Sequence, residues 1–445
     1  MSDDNSDIKA LQKMQSSLCL HQWDFPCVNL SSGRVRACCR VYPRPLAEES
    51  LVNLGKEAIF NDQYNQDRRL DMLEGRRHEE CNSCWSLEEK GAPSPRLGLP
   101  VFMEKMQKRL KVTQDELVKM ITNPGAHPEI LKAHHPFELE ISFGNKCDLA
   151  CVYCSYIYSS RIALEQIEAG LLDKDTYERE MKPDTSNFQS VFWEWFGDVG
   201  IQTLEVVNII GGEPLINDLF YENVDKLLHI CETTTHVREK KILLQIITNL
   251  NAPPHYLKKF ISKLPELSRH FDISLLASME ATGTRAEYIR KGLSWDRFVS
   301  NFEEVLTTSR DHLFQFGFLS SINVLSVTSL ENFVRFAVDL SKKHSWPVYL
   351  GYNQVMHPTV MSVLNLSSDF TQYISRAIDI LDAETEMPPS WNDYRQSLIQ
   401  LEETFKSLKA DERNTQSLRY WIKSNDQRRK TVFLDVFPEM KDFIS

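Results

Sequence analysis

No run of about 18 apolar residues occurs in the 445-residue chain, so an α-helical membrane span is not expected. The first residues, MSDDNSDIKALQKM, lack a basic stretch followed by an apolar core. A secretory leader is therefore not expected, and a reducing cytoplasm is the expected setting. Positive charge is also short: 51 Lys and Arg stand against 62 Asp and Glu, for a formal net charge of -11. That balance weighs against a nucleic-acid partner, whose phosphates call for a basic surface. It favours a neutral or basic substrate through long-range steering. There is no internal repeat and no low-complexity tract. Cysteine is almost missing from the later two-thirds of the chain: nine of the ten cysteines precede residue 155, and only Cys231 follows. In a reducing compartment, clustered thiols more often bind metal or do chemistry than form disulfides. Any metal chemistry is therefore organised from the N-terminal side.

What is present is ordinary for a globular protein, with 42% hydrophobic and 25% charged residues. The length suggests about two to three domains with cores large enough to fold without disulfides. Residues 1–98 are rich in cysteine and turn formers, with a turn at Ser32-Gly33 before a short strand. "APSPRLGLP" marks a boundary. Residues 99–135 read as a helical linker, where Thr113 caps a helix and Glu116 answers it, and Asn123-Pro124-Gly125 ends it. His134 and His135 read as loop residues. Over 136–360, short β-branched runs alternate with helical patterns: "FELEISF", "TLEVVNII", "ILLQIIT", "FDISLLAS", "LFQFGFLSSI" and "PVYLGY". This alternation predicts an α/β fold with a parallel sheet and right-handed crossovers. Six units are too few for the eight-stranded barrel, so an open, partial (β/α)6 TIM-like barrel is expected, with its chemistry at the C-terminal strand ends. Residues 361–445 are helical. The aromatics of "FQSVFWEWFGDVG" pack one helix face against the sheet or line an approach to it, and packing is the expected role.

"GNKCDLACVYCSY" directly follows the first of these strands and sets Cys147, Cys151 and Cys154 in the spacing C-x3-C-x2-C. A closed structural zinc site wants four ligands, usually in two short pairs. Three thiols in one loop leave a position open. A cubane of iron and sulfide held by three thiolates would keep one iron for an exogenous ligand. "NIIGGEPLI" ends the second strand. Gly211 and Gly212 let backbone approach a ligand closely, and the Glu213 carboxylate can accept bonds from an ammonium group.

The cysteine loop, with aromatic Tyr153 before its third thiol and Gly-Gly-Glu-Pro one β-α unit later, resembles the radical S-adenosylmethionine superfamily. The resemblance implies a [4Fe-4S] cluster on Cys147, Cys151 and Cys154 whose unique iron chelates the amino and carboxylate groups of S-adenosylmethionine. One-electron reduction, from a reductase such as flavodoxin or ferredoxin, then gives a 5′-deoxyadenosyl radical that abstracts hydrogen from a substrate. The cofactor supplies the hard chemistry, and the protein binds, orients and shields it. The resemblance also implies that Glu213 contacts the methionine amino group. Thr248 and Asn249 stand where such proteins often carry T-N-G. Ser278 and Glu280 end the fourth strand, toward the ribose or carboxylate. Arg290 is the implied carboxylate clamp, since its fork binds bidentately. Asn323 is a weaker candidate at the end of the fifth strand. Helix caps and surface ion pairs are the competing readings of these softer matches.

The N-terminal cysteines form two metal-type knuckles, "CLHQWDFPCVNLSSGRVRACCR" and "CNSCWSLEEKGAPSPR". Thiolates suit zinc or an iron–sulfur cluster equally, so spacing leaves both open. The pattern resembles the SPASM or twitch auxiliary-cluster modules of radical S-adenosylmethionine enzymes, here placed before the barrel instead of after it. "FPEM" near Phe437 and the late helices extend the resemblance over most of the chain. Cys19, Cys38, Cys81 and Cys84 are the expected ligands, with Cys39 an alternative to Cys38. Cys27 and Cys231 read as small buried hydrophobes. A second cluster could accept an electron, bind substrate or serve architecture alone. The leading expectation is a radical enzyme acting on a peptide or protein side chain by oxidation, crosslinking or epimerisation, by analogy with the subgroup. The alternatives are a radical dehydrogenase or epimerase on a small polar metabolite, and a non-catalytic zinc-binding interaction protein.

Overall fold

A computed structural model describes residues 3–89, 91, 94–133, 136–234, 238–409 and 411–444. His134 and His135 lie outside the described residues. The strands in chain order are β1 (Cys27–Asn29), β2 (Arg34–Arg36), β3 (Arg44–Pro45), β4 (Glu138–Ser142), β5 (Ala150–Cys151), β6 (Val206–Ile210), β7 (Ile242–Thr248), β8 (Phe271–Ser278), β9 (Arg290–Lys291), β10 (Gln315–Ile322) and β11 (Tyr349–Gln354). The six expected strands are β4, β6, β7, β8, β10 and β11, and helices alternate with them. This mixed α/β arrangement fits the expected partial barrel. By compactness the chain divides into two units: residues 1–144, 179–209 and 223–243, and residues 145–178, 210–222 and 244–445. These limits differ from the boundaries read in the sequence, because each unit is assembled from separate stretches of chain.

In the first unit the strand order is β3-β2-β1-β4-β6. Gly33 turns the chain at φ +63, and β1 then pairs antiparallel with β2, Val28 opposite Val35. On its other side β1 runs parallel to β4, Val28 opposite Ile141. The helices expected as a linker belong to this unit's core. Phe102 and Met106, one turn apart, and Leu117 and Ile121, one turn apart, pack with Met14, Leu18, Trp23 and Met72. The Thr113–Glu116 capping box forms as expected. Arg69 is wholly enclosed here and is satisfied by oxygens alone. Its Nε donates to the Gln22 carbonyl (2.8 Å), Nη1 to Leu131 (2.8 Å) and Asn61 Oδ1 (3.0 Å), and Nη2 to Phe60 (2.8 Å). Burial pulls its pKa down to about 9. The aromatics of the helix Ser186–Trp195 and the turn after it are buried at Phe188, Phe192, Trp195 and Phe196, and Trp195 meets Phe60 of the helix Ala58–Asn61 edge-on at 4.5 Å.

In the second unit the order is β7-β8-β10-β11. β8 runs parallel to β10 and β10 parallel to β11. The helix Trp295–Thr308 starts at Ser294, whose side chain accepts from the Arg297 N–H. It buries Phe298, Phe302 and Val305 on one face. Phe302 stacks on Phe316 and Phe318 of β10 at 4.3 and 4.7 Å. Late in the chain, Phe437 of the "FPEM" stretch packs against Tyr288 at 5.5 Å. Among the described residues no helix is long and apolar enough to cross a membrane.

Candidate functional site

The loop bearing Cys147, Cys151 and Cys154 belongs to the second unit. Short-range hydrogen bonds fold it on itself. Asn145 Nδ2 donates to the Tyr156 carbonyl (2.9 Å), the Cys147 N–H to Ser160 Oγ (3.1 Å), and Ser159 Oγ to the Leu149 carbonyl (2.8 Å). The Cys154 N–H donates to the Cys151 carbonyl at 3.1 Å, a tight turn between the second and third thiols. All three thiols are half-buried and free of disulfides. Burial raises the pKa of each, and Cys147 is raised further by Cys151 and Cys154. Such mutually opposed neutral thiols gain from a cationic or metal partner that takes their charge.

The Gly-Gly-Glu-Pro turn closes on this loop. The Gly212 N–H donates to the Tyr158 carbonyl (2.9 Å) and the Glu213 N–H to the Lys146 carbonyl (2.8 Å). Gly212 sits at φ +58, and a Cβ there would lie 2.3 Å from the Lys146 oxygen. Gly212 therefore lets the turn press on the cysteine loop's backbone. Gly211 also turns at positive φ, +87.

Glu213 is fully buried. Its carboxylate accepts from Thr248 Oγ1 (2.6 Å), the Asn249 N–H (2.5 Å) and the Leu215 N–H (3.1 Å). These three donors are neutral, and burial pushes its pKa up to about 7. A cationic group brought against it would be bound as a charge-assisted partner.

Asp148, inside the cysteine loop, was missed in the sequence. Its two oxygens accept from Asn249 Nδ2 and Asn251 Nδ2, each at 2.8 Å. Asn249 is thus engaged with the loop itself. Gly292 was missed as well: it lies at φ +101, and a Cβ there would fall 2.8 Å from the Asp148 carbonyl. An aspartate beside the first cysteine and two asparagines flanking a leucine after a strand were the available signals, though neither is specific.

Tyr153, Glu280 and Arg290 come together. Arg290 Nη2 pairs with Glu280 at 2.5 Å, the two side chains being 4% and 1% exposed. Tyr153 OH donates to the other Glu280 oxygen at 3.1 Å. The guanidinium lies 5.5 Å from the Tyr153 ring centroid, and its Nη1 reaches Cys151 Sγ at 3.7 Å. Arg290, expected as a cofactor clamp, holds a protein carboxylate in this structure. Ser278 ends β8, two residues before Glu280. Asn323 is buried and spent in a turn, accepting from the Leu325 N–H and donating to the Ser321 carbonyl.

The first unit holds a separate thiol pocket. Cys19, Cys38, Cys81 and Cys84 line it together, beside Trp85 and Arg96. Burial pushes Cys19 up to about 12 and Cys84 up to about 11. Arg68 Nη2 reaches Cys81 Sγ at 3.9 Å. The guanidinium groups of Arg77 and Arg96 lie 4.9 and 4.8 Å from the Trp85 ring centroid, and its buried Nε1 has no hydrogen-bond partner. Cys39 neighbours Cys38, while Cys27 lies buried in β1 with its thiol toward the Phe25 carbonyl at 3.6 Å. Cys231 lies half-buried in the helix Asp218–Thr233. Among the described residues no three His, Cys, Asp or Glu side chains converge tightly enough to hold a single metal ion. The donor sets, three soft thiols in one loop and four around one pocket, fit thiolate-ligated clusters by type.

No family model matches the chain, and no curated protein does. Solved structures do match at low similarity. One is "Native anSMEcpe with bound AdoMet", at 17% identity over 55% of this chain and 60% of that one, with a TM-score of 0.37. Another is Streptococcus suis SuiB bound to S-adenosylmethionine, at 17% identity over 71% and 63% of the two chains, TM-score 0.36. A third is SuiB bound to its precursor peptide SuiA, at 15% identity over 75% and 68%, TM-score 0.35. The match to the first of these spans 60% of that chain's length.

Proposed function

We propose that the chain is a radical S-adenosylmethionine enzyme that modifies a peptide or protein side chain. The observation that carries this reading is the closure of the Gly-Gly-Glu-Pro turn on the three-thiol loop through the Glu213 N–H and the Lys146 carbonyl. That contact brings a buried carboxylate with only neutral hydrogen-bond donors against the loop that carries the three soft thiols. Cys147, Cys151 and Cys154 would hold a [4Fe-4S] cluster, and Glu213 would accept the ammonium of S-adenosylmethionine. Bound there, the cluster and cofactor supply one-electron C–S cleavage and a hydrogen-abstracting radical.

The chain's own residues do the positioning. Asp148, Asn249 and Asn251 fix the first half of the loop, and Gly212 and Gly292 allow backbone to press on it. Ser278 would face the cofactor's ribose or carboxylate. The four thiols of the first unit would hold a second, auxiliary cluster, and the Trp85 N–H is a donor left over for its sulfur atoms. This second thiol site is what supports a peptide substrate, through the resemblance to auxiliary-cluster modules. A small acidic redox protein of the flavodoxin or ferredoxin kind would deliver the electron. Anaerobic incubation of the reconstituted protein with S-adenosylmethionine and dithionite tests the chemistry. 5′-Deoxyadenosine is the expected product, and its absence from an iron-loaded protein would count against the reading.

A further inference from the structure

Arg290 Nη2 pairs with Glu280 at 2.5 Å and its Nη1 reaches Cys151 Sγ at 3.7 Å. Its carboxylate partner, Glu280, is as buried as it is, and a buried pair of this kind is retained only where geometry and further hydrogen bonds offset desolvation. Tyr153 supplies one such bond to Glu280 and lays its ring beside the guanidinium. The backbone adds register: β5 and β9 pair antiparallel with Cys151 opposite Arg290. The Val152 N–H donates to the Ile289 carbonyl at 2.9 Å, which extends that pairing. Arg290 Nη1 then reaches Cys151 Sγ at 3.7 Å, while the buried Nε has no partner.

We propose that Arg290 is a positioning residue for the Cys151 sulfur, held by Glu280 and Tyr153, and that it is not a clamp for a cofactor carboxylate. The inference rests on the proposed reading that Cys151 ligates iron. A guanidinium donor on a ligating thiolate withdraws negative charge from it and favours the reduced state of the metal group. Removing the donor lowers the reduction potential, whereas removing a carboxylate clamp weakens cofactor binding.

The test uses the full-length reconstituted protein. Iron per chain, S-adenosylmethionine affinity, and the potential of the signal that S-adenosylmethionine perturbs are measured in wild type, Arg290→Lys, Arg290→Gln and Glu280→Gln/Arg290→Gln. The double variant avoids the isolated buried carboxylate that can unfold the single one. The expected result is a lower potential in both glutamine variants, partly restored in Arg290→Lys, with affinity within about twofold of wild type. A loss of affinity of about tenfold or more at unchanged potential would make Arg290 a cofactor ligand and overturn the inference. Unchanged potential and affinity would also overturn it. A wild-type protein that takes up no iron would instead bring down the reading on which the inference rests.

Discussion

Gly212→Ala is the most informative single substitution. The new methyl carbon would lie 2.3 Å from the Lys146 oxygen, 2.8 Å from the Asn145 carbonyl carbon and 2.9 Å from the Lys146 carbonyl carbon. All three are backbone atoms, so no side chain can swing aside. An overlap of this kind costs about 1–3 kcal/mol or more. The φ of +58 adds a further cost, about 1 kcal/mol for an L side chain. If the turn retreats, the bonds from Gly212 and Glu213 to the Tyr158 and Lys146 carbonyls are lost, at about 1 kcal/mol each. Whether the turn stays and carries the overlap or retreats and loses the two bonds, the cost is on the order of 3 kcal/mol, concentrated where the turn meets the cysteine loop. Gly170 is the control: it has φ +68 with nothing within 4 Å of an added Cβ, so only the conformational cost applies there. Denaturant midpoints and iron per chain, measured on both variants, decide. Gly212→Ala is expected to lose most of its loop iron and unfold earlier, and Gly170→Ala to stay near wild type. Equal effects of the two substitutions would refute the idea that the turn is pressed against the loop.

Three further outcomes follow from other contacts. Asp148→Asn replaces one of two acceptors facing amide donors. It should loosen the loop by about 1–3 kcal/mol, read as faster iron release to a chelator. Arg69→Met removes the donor from three backbone carbonyls, Gln22, Phe60 and Leu131, and leaves Asn61 Oδ1 with the Ala133 N–H alone. It should destabilise the first unit by about 3–5 kcal/mol, visible as an early unfolding step, while Arg69→Lys should fall between. Burial raises the Glu138 carboxyl from its ordinary 4.5 to about 7, although Asn208 donates to it. Between those two values the folded state binds the extra proton, so stability must fall as pH rises from about 4.5 to 7. A Glu138→Gln variant should flatten that part of a thermal-midpoint profile, and an unchanged slope would assign the effect elsewhere.

The strands were legible where the period-2 pattern or a β-branched run was bounded by turn formers. Ile242–Thr248 and Phe271–Ser278 match the sequence runs at both ends. β5 and β9 have two residues each, too short for any periodicity, and they form only because distant segments meet. β1 was unread for a similar reason, since its three residues, Cys-Val-Asn, gain meaning only beside β4. The stretch 99–122 was read as helical, but its role was not. An amphipathic face says that something covers it, not that Trp23 and Met72 do. In the candidate site, residue types and spacing pointed to the three-thiol loop and to Glu213. They could not show that Asp148 would hold Asn249 and Asn251, because those pairings span about a hundred residues, or that Arg290 would meet Glu280, because the turn between the two follows no period.

The most direct measurement is anaerobic reconstitution with iron and sulfide, followed by iron quantitation and a 5′-deoxyadenosine assay, on wild type and on Cys147→Ala/Cys151→Ala/Cys154→Ala. The account predicts about eight irons per wild-type chain with 5′-deoxyadenosine formed. It predicts about four irons and no 5′-deoxyadenosine in the triple variant, because the thiol pocket of the first unit remains. Zinc in place of iron with no product, or cleavage that survives loss of the three thiols, would contradict it.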